Sequence, residues 1–315
     1  MAKQRSEKAG LPPGALVPVG EDPALPTTIR VITYNAQEIT EQSAADPAHI
    51  EVGDPATTVT WIDVAGLADL QAIKAIGEQF NLHQLLLEDV LNTQHRPTID
   101  EYQDQLFVVV KMLGEIPEGE EEAGAIYADQ ISFVLAKGLV ISFQSDPADV
   151  LDPVRERLRS NVGRLRKKGA DFLLYSLLDV IVDHYFSVVE GIGERIEGME
   201  DDVFERARHS DLLALRDLRR KLIQVSRQVT PTRELVGRMN VIPSELVDKG
   251  TRRYINDLQD HTVYLADSIA TFRDQLTNLP LRPLEDCLME DLRRLDEDLV
   301  YGRTLRAGLP KIVIG

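Results

Sequence analysis

Apolar and polar positions along the chain change their period once, near residue 168. Before that point, short runs rich in Val, Ile, Thr and Phe alternate with stretches of helical spacing. Thr28 to Tyr34, Thr57 to Val64 and Leu106 to Leu113 are predicted as strands of one sheet. Ile131 to Leu135 and Leu139 to Phe143, joined across Lys137-Gly138, are predicted as a β-hairpin, because glycine supplies the positive φ that a tight turn requires. Leu67 to Phe80 and Leu82 to Leu91 carry helical spacing, and the acidic stretch Glu115 to Gly124 is predicted as a mobile surface loop. An α/β layered first domain follows from this alternation.

From Gly169 onward the helical period persists. Leu174, Leu178, Ile181, Tyr185, Val188, Ile192, Met199 and Val203 fall on one stripe of a long helix. A second helix, Ser210 to Met239, carries a matching stripe of Leu215, Leu218, Leu222, Val225 and Val229, with Ser210 as its N-cap. The two are expected to form an antiparallel hairpin around Arg206 to His209, and Pro231 to kink or interrupt the second arm near its end. Pro243 and Gly250 mark a break before a third helix, Thr251 to Thr277. Three divisions follow: residues 1–168, 169–279 and an atypical tail, 280–315.

A membrane-spanning helix needs ~20 mostly apolar residues. The best candidate, Phe172 to Val189, is broken by Asp179, Asp183 and His184 and reads as a water-soluble helix, so no direct membrane insertion by this chain is expected. Hydrophobic residues make up 43% of the chain, enough for a real core. Asp and Glu outnumber Lys and Arg by 52 to 35, and the formal charge of −17 repels nucleic-acid phosphates and anionic lipid headgroups. Cations are the natural partners. The single cysteine, Cys287, cannot form an internal disulfide, so a reducing cytoplasmic setting is expected. Lys3, Arg5 and Lys8 are followed by no apolar segment, unlike a secretory signal.

No catalytic constellation is visible, and the chain is not expected to be an enzyme. The six His residues lack HExxH spacing, Cys287 has no zinc-ligand companions, and neither a GxxxxGK[ST] loop nor a GxSxG elbow occurs. Asp183-His184 and Asp260-His261 invite a metal-binding reading, but adjacent helical residues point about 100° apart, so solvated or capping histidines are the better reading. Trp61 and the tyrosines are too scattered for base stacking and read as core. The distinctive feature is carboxylates set into apolar helical text. Glu88-Asp89 interrupts Leu85, Leu86, Leu87, Val90 and Leu91, and Asp179 interrupts Leu177, Leu178, Val180 and Ile181. Such an acid is costly beside packed surface unless paired or metal-bound. Pattern alone leaves two readings open: exposed or ion-paired helix residues, and metal ligands.

In order along the chain stand Gly10-Leu11-Pro12-Pro13-Gly14, Trp61-Ile62-Asp63, Leu87-Glu88-Asp89-Val90-Leu91-Asn92, His95-Arg96-Pro97, Val110-Lys111-Met112 and Asp152-Pro153-Val154-Arg155-Glu156-Arg157. Tyr175-Ser176-Leu177, Asp260-His261-Thr262 and Thr271-Phe272-Arg273-Asp274 complete the series. Together these resemble the cytosolic portion of the CorA family of magnesium and cobalt transporters, from near the N-terminus to about Leu279. The resemblance implies an α+β fold: an N-terminal α/β/α sandwich, a long antiparallel helical hairpin and a stalk helix. It also implies that Asp89 faces Asp257 of a neighbouring subunit across a divalent ion, with Glu88 and Asp179 serving a second, adjacent ion. Anchoring the stalk at Asp260-His261-Thr262 selects Asp257 rather than Asp260 as the ligand. Mg2+ is the implied ion, with Co2+ or another divalent cation as the variant. A homopentamer on the cytoplasmic side of the cell membrane is the implied assembly, in which intracellular magnesium holds a channel closed.

The chain departs from the family after Leu279. It reads Pro280-Leu281-Arg282-Pro283 where the family continues into a membrane helix, and no Gly-Met-Asn occurs. Leu284, Leu288, Leu292, Leu295 and Leu299 have amphipathic helical spacing, and the tail is read as unrelated to function. Conduction by this chain alone is not expected. Zinc or cobalt handling on the same fold, and a soluble scaffold that has lost transport, are the competing readings.

Overall fold

The computed structural model describes residues 10, 14–19, 26–44, 46–117, 119, 123–145, 150–206, 209–243 and 245–279. Leu11 to Pro13, Ala207 and Arg208 of the expected turn, the middle of the acidic loop and the tail 280–315 lie outside the described residues, as does the side chain of Ser210.

Seven strands form one sheet: β1 (Thr28–Tyr34), β2 (Ile39–Ser43), β3 (Val59–Ala65), β4 (Thr98–Tyr102), β5 (Gln105–Glu115), β6 (Ile126–Ala136) and β7 (Leu139–Gln144). Their order is β2-β1-β3-β7-β6-β5-β4, and β3 with β7 is the parallel pair in an otherwise antiparallel sheet. Lys137-Gly138 makes the β6–β7 turn, with Gly138 at φ +69°. The central strands β3, β5, β6 and β7 are largely buried on both faces, as strands between helical layers must be. Ile29, Val31, Ile62, Val64, Phe107, Val109, Val134, Ile141 and Phe143 line one face. Helices α1 (Leu70–Gln79) and α2 (Gln84–Val90) pack there through Ile73, Ile76, Leu86, Leu87 and Val90. Asp69 caps α1 by accepting from the amides of Gln71 and Ala72, both at 3.0 Å.

Alternate strand residues face the other way. There Trp61 and Asp63 lie beneath α3 (Asp152–Arg159), whose Arg155 reaches Asp63. The start of α4 (Ala170–Arg206) lies on the same side, since Asp171 acts on Tyr34, which alternates with Ile29 and Val31. Helices α5 (His209–Val241) and α6 (Lys249–Asn278) complete the chain as described. The fold is α+β, a sandwich followed by a long helical hairpin and a stalk helix.

The structure sharpens two sequence expectations. Helix α5 is not interrupted at Pro231 but runs on to Val241. The lost backbone hydrogen bond and ring clash cost ~3 kcal/mol. Beyond the proline, Leu235, Val236 and Met239 are all but fully buried. Each such side chain contributes ~1.5–3 kcal/mol, so packing outweighs the defect. Ala170–Met199 is long and apolar enough to cross a membrane by length and composition, despite its acids, but 67% of its 18-residue apolar window is buried inside the molecule.

By its contacts the chain divides into two compact units, one up to Val189 together with Gln224–Asp267, the other Glu190–Ile223 together with residues from Ser268 onward. The first contains the sheet. In the second, Leu215, Leu218 and Leu222 are buried, Arg219 donates to the Leu276 carbonyl at 2.8 Å, and Phe272 packs on Gly193.

Candidate metal centre

Helix α2 is anchored through Leu86, Leu87 and Val90, which leaves Glu88 and Asp89 half-buried at its edge. Glu88 Oε2 accepts from the Gly14 amide at 2.6 Å, and Asp89 Oδ1 lies 3.6 Å from His95 Nε2. The segment is held from below by two polar side chains of the sheet. Gln130 donates from Nε2 to the carbonyls of Asp89 at 2.9 Å and Val90 at 3.3 Å. Lys111 donates to the Thr93 carbonyl and, at 3.2 Å, to Gln130 Oε1. An ammonium buried in a sheet is costly. Burial accordingly pulls the Lys111 pKa down to about 8, against the pull of Asp129 in the opposite direction.

A second group of acids gathers around Tyr175 on α4. Its hydroxyl donates to Asp179 Oδ1 at 3.3 Å. Burial, then the charge of Asp183, raises the Asp179 carboxyl, while Arg157, Tyr175 and His261 act the other way. Burial, then Asp179 and Asp257, raises the Tyr175 phenol, so the exposed Asp257 of α6 lies within electrostatic reach of the same ring. Phe172 and Tyr254 complete the aromatic cluster at 5.4 and 5.5 Å from Tyr175, and Arg164 donates to the Tyr254 hydroxyl at 3.0 Å.

Glu88 and Asp89 therefore stand on one face of the sheet, and Asp179 with Asp257 on helices that begin over the other. Among the described residues no group of three or more His, Cys, Asp or Glu side chains could hold a metal ion. Asp183-His184 and Asp260-His261 make none either; His261 instead meets Phe186 edge-on at 5.8 Å.

The family model described as CorA-like Mg2+ transporter protein matches residues 56–280. The chain belongs to this CorA-like family. It is 36% identical over 280 residues to the cobalt/magnesium transport protein CorA of Thermotoga maritima, covering 88% of this chain and 78% of that protein. The soluble domain of CorA from Methanocaldococcus jannaschii has the same fold, with a TM-score of 0.65 at 19% identity over 81% of this chain and 96% of that one. The cytoplasmic domain of ZntB from Vibrio parahaemolyticus is similar in fold too, at a TM-score of 0.58 and 16% identity over 79% of this chain and 97% of that one.

In this CorA-like chain the donors at both places are carboxylate oxygens, the ligand type that hard dications prefer. Among the described residues neither place gathers three His, Cys, Asp or Glu side chains that could hold an ion. Magnesium tolerates such a set because it keeps several of its waters. Sequence reasoning assigned no work to Lys111, Gln130 or Tyr175; the one available signal was a lysine inside the apolar run Leu106 to Leu113.

Proposed function

We propose that this chain is the cytosolic metal-sensing portion of a CorA-like divalent-cation transporter. In the proposed assembly, a homopentamer on the cytoplasmic side of the membrane, Asp89 of one copy and Asp257 of the next share one hydrated Mg2+, with Glu88 and Asp179 flanking a second ion. The observation that carries this reading is that Asp179 and Asp257 gather around Tyr175 while Glu88 and Asp89 stand apart at the edge of α2, so that among the described residues of one chain no group of three such side chains could hold an ion. Two carboxylates around a hydrated ion bind weakly, so occupancy follows a millimolar ion instead of saturating. With the ion bound, like charges at the boundary are neutralised and neighbouring copies close together; without it they repel. Closure of that boundary holds the pore shut, and loss of magnesium releases it.

Limited proteolysis tests the reading. Magnesium is expected to slow cleavage of the wild-type chain and to leave the Asp89→Lys, Asp257→Lys double variant unprotected. Equal protection of both would end the sensor assignment. A second reading, zinc or cobalt in place of magnesium, draws on one observation: the His95 imidazole nitrogen stands 3.6 Å from Asp89 Oδ1, and nitrogen ligands favour those softer ions. Competition titration separates the two, since His95→Ala weakens zinc or cobalt binding and spares magnesium only if the imidazole is a ligand.

A further inference from the structure

We propose that the cleft between the segment Gln94–Ile99 and the C-terminal part of α5 binds a phosphoryl-bearing organic anion. The cleft encloses about 380 Å³, within the ~300–1,000 Å³ typical of small-molecule sites. Its floor is apolar: Pro97, Ile99, Pro231 and Leu235 line it and are all buried. Around this floor stand His95, Arg96 and Arg238, with Glu234 the one carboxylate in the lining. A chain with a formal charge of −17 thus has a local excess of positive charge here.

Two exposed arginines from separate parts of the chain, Arg96 and Arg238, meet at this cleft. Arg155, Arg159, Arg220 and Arg252 are matched to carboxylates or carbonyls. Neither the Arg96 nor the Arg238 guanidinium has a hydrogen-bond or ion-pair partner among the described residues, although both line one cleft from separate parts of the chain. A guanidinium presents a planar fork of donors that fits phosphate or carboxylate bidentately. One fork suffices for a carboxylate. Two forks match the greater charge and larger number of oxygens of a phosphoryl group, while the apolar floor accommodates a ring or carbon chain. The inference does not depend on the metal reading of Asp89 and Asp257.

Calorimetric titration of the full chain with ADP, and separately with inorganic phosphate, in magnesium-free buffer containing a chelator tests the proposal. ADP is expected to bind saturably at one site per chain and more tightly than phosphate. Arg96→Ala and Arg238→Ala should each weaken it roughly ten- to hundredfold, the range for a lost hydrogen bond to a charged group. Arg220→Ala, on an exposed part of α5, should leave it unchanged. Thermal melting of each variant verifies folding. Arginine-dependent binding of phosphate as tight as that of ADP would overturn the organic part of the proposal and identify free phosphate as the ligand. Saturation by neither compound at millimolar concentration, or binding indifferent to both arginines, would overturn it altogether.

Discussion

Two buried charges show how single residues hold the sheet and its covering helices together. Arg155 is 1% exposed, lies 2.5 Å from Asp63 Oδ2 and sits over the Trp61 ring at 5.3 Å. Asp63 Oδ1 accepts from Ser142 Oγ at 2.6 Å and Gln144 Nε2 at 2.7 Å, and Trp61 Nε1 donates to the same serine at 2.9 Å. Replacing Arg155 by Met leaves Asp63 buried with neutral donors only, and urea unfolding should report a loss of ~3–5 kcal/mol. Lys111 makes a pH-dependent case. In the unfolded chain a lysine titrates near ~10.4, whereas in the folded chain Lys111 titrates at about 8. Between these values the unfolded chain binds the proton that the folded chain has released. Stability therefore rises with pH across that window, by at most ~1.4 kcal/mol per unit. Lys111→Met should remove this contribution, seen as a flatter dependence of urea midpoints between about pH 8 and about pH 10. Neither role could be read along the chain, because the decisive partners are remote: Arg155 and Asp63 are 92 positions apart. Glu88, Asp89 and Asp179 were legible as acids breaking apolar text, but Asp257, on a charged helix face, was legible only through the family resemblance.

At the scale of elements, legibility followed burial. The central strands β1, β3, β5, β6 and β7 carry dense Val, Ile and Phe because both their faces are covered. The edge strands β2 and β4 escaped notice for the opposite reason. Ile39–Ser43 is almost wholly exposed, and Thr98–Tyr102 has Ile99 as its one buried residue. Polar edges of this kind discourage pairing with other sheets and erase the alternation that marks a strand. The long helices announced themselves by their stripes, and their glycines lead to a paired prediction. A methyl group on Gly193 would meet the Phe272 ring at 2.4 Å, whereas Gly198 has open space around it. Gly198→Ala should stabilise α4 by up to ~1 kcal/mol, the propensity difference in an exposed helix. Gly193→Ala should destabilise it, since overpacking costs ~1–3 kcal/mol. Melting temperatures shifted in opposite directions would verify the close approach of α4 and α6 in the second unit.

For the molecule as a whole, charge is the governing quantity. An excess of 17 negative charges opposes the packing of one copy against another unless counterions are held between them. The proposed sites place dications where that repulsion is concentrated, and make assembly and ion occupancy one equilibrium. Raised by burial and by Asp183, the Asp179 carboxyl takes up a proton before an ordinary aspartate does. Acidification should therefore weaken binding at the proposed second ion as Asp179 takes up its proton. The most direct measurement is the mass of the chain by sedimentation equilibrium, with magnesium at millimolar concentration and with chelator, for the wild type and for Asp257→Lys. Magnesium should shift the wild-type chain to a larger assembly and leave the variant as it is in chelator. A wild-type mass that ignores magnesium, or a variant that assembles with it equally well, would contradict an ion shared between Asp89 and Asp257.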